Sequence, residues 1–189
     1  MLALFYSVKQ VQRMSNSSNQ MPYFIKPSIN FSLSEKEEAY QHAFTELGLL
    51  LEGENDTILK MSSINSILKT HLPYFYWVGF YLVSNGRLSI GPYQGTLGCL
   101  HIELGKGVCG NVAMSKHTKI VEDVDILVQG TEHISCDPNS KSEIVIPVFD
   151  SKKDLIAVFD VDSTLPKSFD VVDQKYLERI MIRYFQGQG

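Results

Sequence analysis

All three cysteines of this 189-residue chain, Cys99, Cys109 and Cys136, fall between Gly91 and Glu143. They are set in a glycine-rich frame: Gly91-Pro-Tyr-Gln-Gly95, then Gly105-Lys-Gly-Val-Cys-Gly110, then His133-Ile-Ser-Cys-Asp137, closing on Ser142-Glu143. Three chemistries compete for such a cluster. Free cysteine is often a small buried hydrophobe. Zinc would draw on Cys99, Cys109 and Cys136, but there is no Cys-x-x-Cys or His-x-x-x-His pair, which is poor spacing for a tetrahedral site. Redox work, in which one thiolate attacks an oxidised substrate and a second closes a disulfide on it, makes use of the clustering that the other two leave to chance.

Two further groups could join the thiols. In Leu155 to Asp162 a period of two puts Val158, Asp160 and Asp162 on one face and Ala157, Phe159 and Val161 on the other. The plain reading of the two aspartates is a solvated face. In Tyr74 to Val83 the same period puts Trp77, Gly79 and Tyr81 together, two aromatics separated by a glycine that could frame a small ligand or simply pack on a helix.

The elements that must position these residues read as follows. Ser34-Glu-Lys-Glu37 has the capping-box pattern and predicts a helix with Ala39, Ala43, Phe44, Leu47, Leu50 and Leu51 inward. Asn55 or Asp56 caps a second helix, carrying Ile58, Leu59, Ile64, Ile67, Leu68 and Leu72 and stopped by Pro73. Asn85-Gly86 predicts a tight hairpin after the Tyr74–Val83 strand. Cys99 opens a short strand to Leu104, and Gly105-Lys-Gly107 turns into a helix whose first turn carries Cys109, a position that lowers thiol pKa. No Lys-Ser or Lys-Thr pair follows those glycines, so the mechanics of a nucleotide P-loop are missing. Lys119–Val121 is a short strand, and Cys136 lies in the long connection after it. Ile144–Phe149 and Leu155–Asp162 form a second hairpin, and a helix over Asp170–Tyr184 carries Val172, Tyr176, Ile180 and Phe185 inward. The expected class is α+β, a central, mostly antiparallel sheet with helices packed on it.

Composition bounds the rest. Formal net charge is -4 and no basic cluster occurs, which argues against nucleic acid and against an anionic membrane as partners. The apolar run from Tyr74 to Val83 is too short to span a bilayer. Three cysteines with no convincing signal peptide point to a reducing compartment, and a cytoplasmic location is expected. Residues 1–33 lack any acidic side chain and contain Ser15-Asn-Ser-Ser-Asn-Gln20. They read as a disordered extension, as residues upstream of a true start at Met14 or Met21, or as a weak transit peptide, with one domain over residues 34–189.

Taken together, Trp77-Val-Gly-Phe-Tyr81, Gly91-Pro-Tyr-Gln-Gly95, Gly105-Lys-Gly-Val-Cys-Gly110, His133-Ile-x-Cys-Asp137, Ser142-Glu143 and Asp160-Val-Asp-Ser163 resemble the free methionine-(R)-sulfoxide reductases of the GAF-domain type from Ser34 onward. The resemblance implies a GAF-like fold with Cys136 as nucleophile, Cys99 as resolving thiol and Cys109 as an auxiliary or alternative one. It also implies a substrate pocket at Trp77, Tyr81, Glu143, Asp160 and Asp162. It implies free methionine sulfoxide as substrate, no bound cofactor, thioredoxin with NADPH as external reductant, and a possible homodimer. Thr131-Glu132 stands where Pro-Gly is usual in the family, and Ala157 where glycine is common. The chemistry suits the residues, because a sulfoxide oxygen must gain protons to leave and clustered, desolvated carboxyls keep a proton near neutrality. The same carboxylates would hold the substrate ammonium, with Trp77 against its methyl group or cation. The competing reading is a non-catalytic GAF-type module that binds a small ligand or senses oxidants through the same thiols. That no output domain follows Gly189 favours the enzyme.

Overall fold

Ser32, not Ser34, begins the first helix in the computed structural model, which describes residues 28–127 and 136–187. Ser32-Leu-Ser-Glu35 is also a capping box, and it is the one that forms: the Ser32 hydroxyl accepts from the Glu35 amide and Glu35 accepts from the Ser32 amide. The start two residues earlier has a physical reason. It turns Lys36 inward, where its ammonium donates to Asp173 at 2.5 Å, Asp170 at 2.7 Å and the Ser168 carbonyl at 2.7 Å. The domain therefore reaches back beyond Ser34. Ser28 is buried, its hydroxyl donating to the Tyr74 carbonyl and its amide to Thr164. Residues 1–27 of the acid-free segment lie outside the described residues, as do Thr131-Glu132 and His133.

Helix α1 (Leu33–Leu50) buries Lys36, Tyr40, Ala43 and Leu47, while Leu50, expected inside, is exposed at its end. Helix α2 (Thr57–His71) is capped by Asp56, whose carboxylate accepts from the amides of Ile58 and Leu59. It buries Met61, Ile64, Ile67 and Leu68, and its first-turn residues Ile58 and Leu59 are exposed rather than inward.

Six antiparallel strands follow: β1 (Trp77–Ser84), β2 (Arg87–Gln94), β3 (His101–Glu103), β4 (Lys119–Val121), β5 (Ser142–Phe149) and β6 (Leu155–Ser163), in the spatial order β3-β2-β1-β6-β5-β4. Asn85 and Gly86 both have positive φ, as the two-residue β1–β2 turn requires. Helix α3 (Gly107–Ser115) sits between β3 and β4, and α4 (Val171–Met181) runs into a π-turn over Ile182–Gln186. Cys99 precedes β3 rather than opening it.

The two faces of the sheet do different things. Val78, Phe80, Ile146, Ala157, Phe159 and Val161 face α1, α2 and α4 in the larger core. Trp77, Tyr81, Val145 and Val158 face the other way, with α3 contributing Val108, Cys109 and Val112. The alternation expected along β1 and β6 is thus present, but the aspartate face of β6 is covered rather than solvated. Gly110 makes this possible, since a Cβ there would lie 2.3 Å from the Glu103 carbonyl oxygen; only glycine lets α3 close on the end of β3.

Candidate functional site

Strand register sets the first row of the site. Glu143 of β5 lies opposite Asp162 of β6, and Asp162 lies opposite Trp77 of β1. Directly opposed residues in such a ladder have Cβ atoms about 5 Å apart, so the row crosses three strands with all three side chains on one face. Asp160, two residues along, lies between Val145 and Gly79.

Over this row is a recess of about 500 Å³, its open mouth included. Trp77, Tyr81, Cys109, Cys136, Glu143, Asp160 and Asp162 all line it. Of the candidate catalytic and substrate-pocket residues, only Cys99 is not on its wall, and Cys99 is disulfide-bonded to Cys136 with their Cα atoms 5.2 Å apart. Sequence reasoning missed Ser140, Lys106 and the Leu97-Gly98 pair, which also line the recess. Lys106 sits inside the Gly105–Gly110 motif, and Gly98 stands immediately before Cys99. Ser140 carried no signal, being placed only by the turn after Cys136.

Trp77 and Tyr81 do not bracket an empty gap. Their rings stack with centroids 5.7 Å apart, and Tyr93 also stacks with Trp77, at 5.4 Å. Gly79 leaves the room for this: a Cβ there would meet Tyr93 Cβ at 2.4 Å and Trp77 Cη2 at 2.7 Å. The aromatics form one continuous wall, pinned by the Trp77 indole N–H, which donates to the Thr96 carbonyl at 3.0 Å.

The electrostatics are those of a desolvated acidic cluster. Burial pushes the Asp160 carboxyl well above the usual carboxylate range, and Asp162 and Glu143 push it further. Asp162 is raised in the same way, by burial and then by Glu143. Asp160 Oδ1 is buried with no hydrogen-bond partner among the described residues. Cys109 was expected to have a lowered pKa from its place in the first turn of α3. The structure reverses this: the thiol is buried, it donates to Glu143 Oε1 at 3.9 Å, and burial together with Asp160 and Glu143 drives its pKa well up. Desolvation beside two carboxylates outweighs a helix terminus.

The ligand atoms of Cys109, Glu143 and Asp160 lie within 4.8 Å of one another. The trio weighed for zinc in the sequence, Cys99, Cys109 and Cys136, is a different set, and two of its members are bonded to each other. Among the described residues no helix is long and apolar enough to cross a membrane.

No family model matches the chain. It is 40% identical over 154 residues to GAF domain-containing protein A of Dictyostelium discoideum, covering 81% of this chain and 94% of that protein. It is 33% identical over 160 residues to the free methionine-R-sulfoxide reductase of Saccharomyces cerevisiae, covering 80% and 87%. Among solved structures it is similar to the free methionine-R-sulfoxide reductase of Neisseria meningitidis in complex with its substrate, with a TM-score of 0.73 and 34% identity over 82% of this chain and 90% of that one. The α+β fold described above is the GAF fold. With a six-stranded sheet, a disulfide-bonded cysteine pair beside an acidic recess and these relatives, the chain belongs to the free methionine-R-sulfoxide reductase family.

Proposed function

We propose that this protein reduces free L-methionine-(R)-sulfoxide to methionine, with Cys136 as nucleophile and Cys99 as resolving thiol. The single observation that carries the reading is the recess that Cys136, already joined to Cys99, lines together with Glu143, Asp160, Asp162 and the stacked Trp77 and Tyr81.

The Cys136 thiolate attacks the sulfoxide sulfur while the oxygen takes up a proton. The new S–S bond and the substrate's S–O bond then break as the hydroxyl passes to Cys136, which becomes a sulfenic acid, and methionine leaves as the thioether. Asp160 and Asp162, with their raised carboxyl pKa values, are suited to hold that proton near neutrality. Cys99 then condenses with the sulfenic acid, releasing water and leaving the disulfide. Thioredoxin, kept reduced with NADPH, restores both thiols. The carboxylate cluster receives the substrate ammonium, which a methionine sulfoxide residue within a protein lacks. The opposite charge of the substrate has a partner too: Lys106 and the first turn of α3 line the same recess, and no side chain caps that turn. Cys109 serves as an auxiliary thiol, its reactivity held down by burial until the site rearranges. A cytoplasmic location suits a thiol cycle of this kind. Exposed Leu49, Leu50, Ile58 and Leu59 at the α1–α2 corner support assembly as a homodimer.

The test is NADPH consumption with thioredoxin and thioredoxin reductase, offering free methionine-R-sulfoxide, the S epimer and an N-acetylated analogue in parallel. Turnover with the free R epimer alone is expected, and Cys136→Ser should lower it by roughly a thousandfold or more. No turnover with any of the three, from reduced and folded protein, would instead favour a ligand-binding or oxidant-sensing module.

A further inference from the structure

Asp137 follows the proposed nucleophile, and its two carboxylate oxygens do separate jobs. Oδ1 accepts from the Asn139 amide at 2.8 Å and from the Asn139 side chain at 2.7 Å, which shapes the turn that Cys136 enters. Oδ2 points away from that turn and accepts from two other parts of the chain: the Tyr76 hydroxyl at 2.8 Å and the Thr96 hydroxyl. Both donors are themselves fixed. The Tyr76 amide donates to the Asp162 carbonyl at 2.8 Å, and its own carbonyl accepts from Lys69 at 2.6 Å. The Thr96 carbonyl is held by the Trp77 indole.

Thr96 stands three residues before Cys99, and Asp137 one residue after Cys136. One carboxylate oxygen therefore ties together, beside each thiol, two loops whose cysteines are 37 residues apart in sequence. We propose that Asp137 is a positioning residue that holds the Cys136 loop against the Cys99 loop in the reduced protein, so that Cys99 is already within reach when Cys136 is oxidised. The catalytic half of this rests on the function proposed above; the proximity of the two thiols does not.

Holding two reacting groups together raises their effective concentration toward each other. Effective concentration is measurable by equilibrating the purified protein with mixtures of reduced and oxidised glutathione, then quenching and quantifying the Cys99–Cys136 disulfide by mass spectrometry. Thr96→Val and Tyr76→Phe each remove one donor to Asp137 with little change of shape. Each is expected to lower the effective concentration by roughly ten- to a hundredfold, the scale of one charged hydrogen bond. Thr96→Ser, which restores a hydroxyl, should recover it. Wild-type values in both Thr96→Val and Tyr76→Phe would overturn the proposal, as would a loss in Thr96→Val that Thr96→Ser does not mend. A second readout ties the device to catalysis. Pre-reduced Thr96→Val should form methionine in a single turnover at the wild-type rate, yet leave Cys136 sulfenic acid open to dimedone where the wild type does not. If effective concentration falls but no methionine forms in any variant or in the wild type, the clasp stands and the proposed activity does not.

Discussion

Asp160 shows at the level of one side chain how the site works against the stability of the protein that holds it. The residue is 6% exposed, one carboxylate oxygen lacks a partner among the described residues, and burial raises its pKa. A carboxyl whose folded-state pKa lies above its unfolded value favours folding fully only below the unfolded value. That advantage is lost as pH rises from the ordinary aspartate range through the raised folded-state pKa. Asp160→Asn removes the ionisation. We therefore expect denaturant unfolding to find Asp160→Asn more stable than the wild type at pH 8, by about 1 kcal/mol or more, with the difference gone at pH 4. The same variant should lose most of the turnover, because the site would have one fewer proton to give. Asp137, beside Cys136, shows the opposite balance. Burial by itself would raise it, but hydrogen bonds from Thr96, Asn139 and Tyr76 hold its pKa below the usual value, so its support of the fold is present at neutral pH and fades on acidification.

Elements, rather than residues, decide which of these groups meet. The β5–β6 register puts Glu143 beside Asp162, and a slip of one residue would send both to the opposite face. At the β1–β2 pair, Gly79 lies opposite Tyr93, and the Trp77 ring lies over the gap. Gly79→Ala should cost about 1–3 kcal/mol, the usual penalty of overpacking, and should disturb the near-ultraviolet circular dichroism of the Trp77–Tyr81–Tyr93 stack. Its kinetic mark should be a higher KM for the sulfoxide, read in the thioredoxin-coupled assay. Local patterns in the sequence announced much of this layer. Asn55 or Asp56 reads as a cap, Asn85-Gly86 as a hairpin, and the period of two in β6 separates Phe159 from Asp160. What the sequence left open depended on tertiary partners. Two overlapping Ser-x-x-Glu patterns compete for the start of α1, and only the distant Asp170 and Asp173 decide between them. The Cys109 thiol was misread for the same reason, since the carboxylates that raise its pKa arrive from β5 and β6. That Trp77 and Tyr81 stack instead of standing apart could not be told from their spacing.

At the scale of the molecule, the described residues are built on one sheet with two differently employed faces. Behind it, α1 and α4 are joined by a buried charge network: Lys36 on Asp173 and Asp170, with the Tyr40 and Tyr74 hydroxyls donating to Asp173 at 2.8 and 2.6 Å. Removing one member leaves the other charge without its partner in the interior. Lys36→Met is expected to cost about 3–5 kcal/mol of unfolding free energy in denaturant titration, while the fraction that remains folded turns over at the wild-type rate. In front, the chain's single tryptophan is part of the wall of the recess. Fluorescence excited in the indole band therefore comes from one place only, stacked with Tyr81 and Tyr93 and hydrogen-bonded to the loop that leads to Cys99. The protein carries its own optical probe, and without any label its emission should follow ligand entry and the opening and closing of the disulfide in real time.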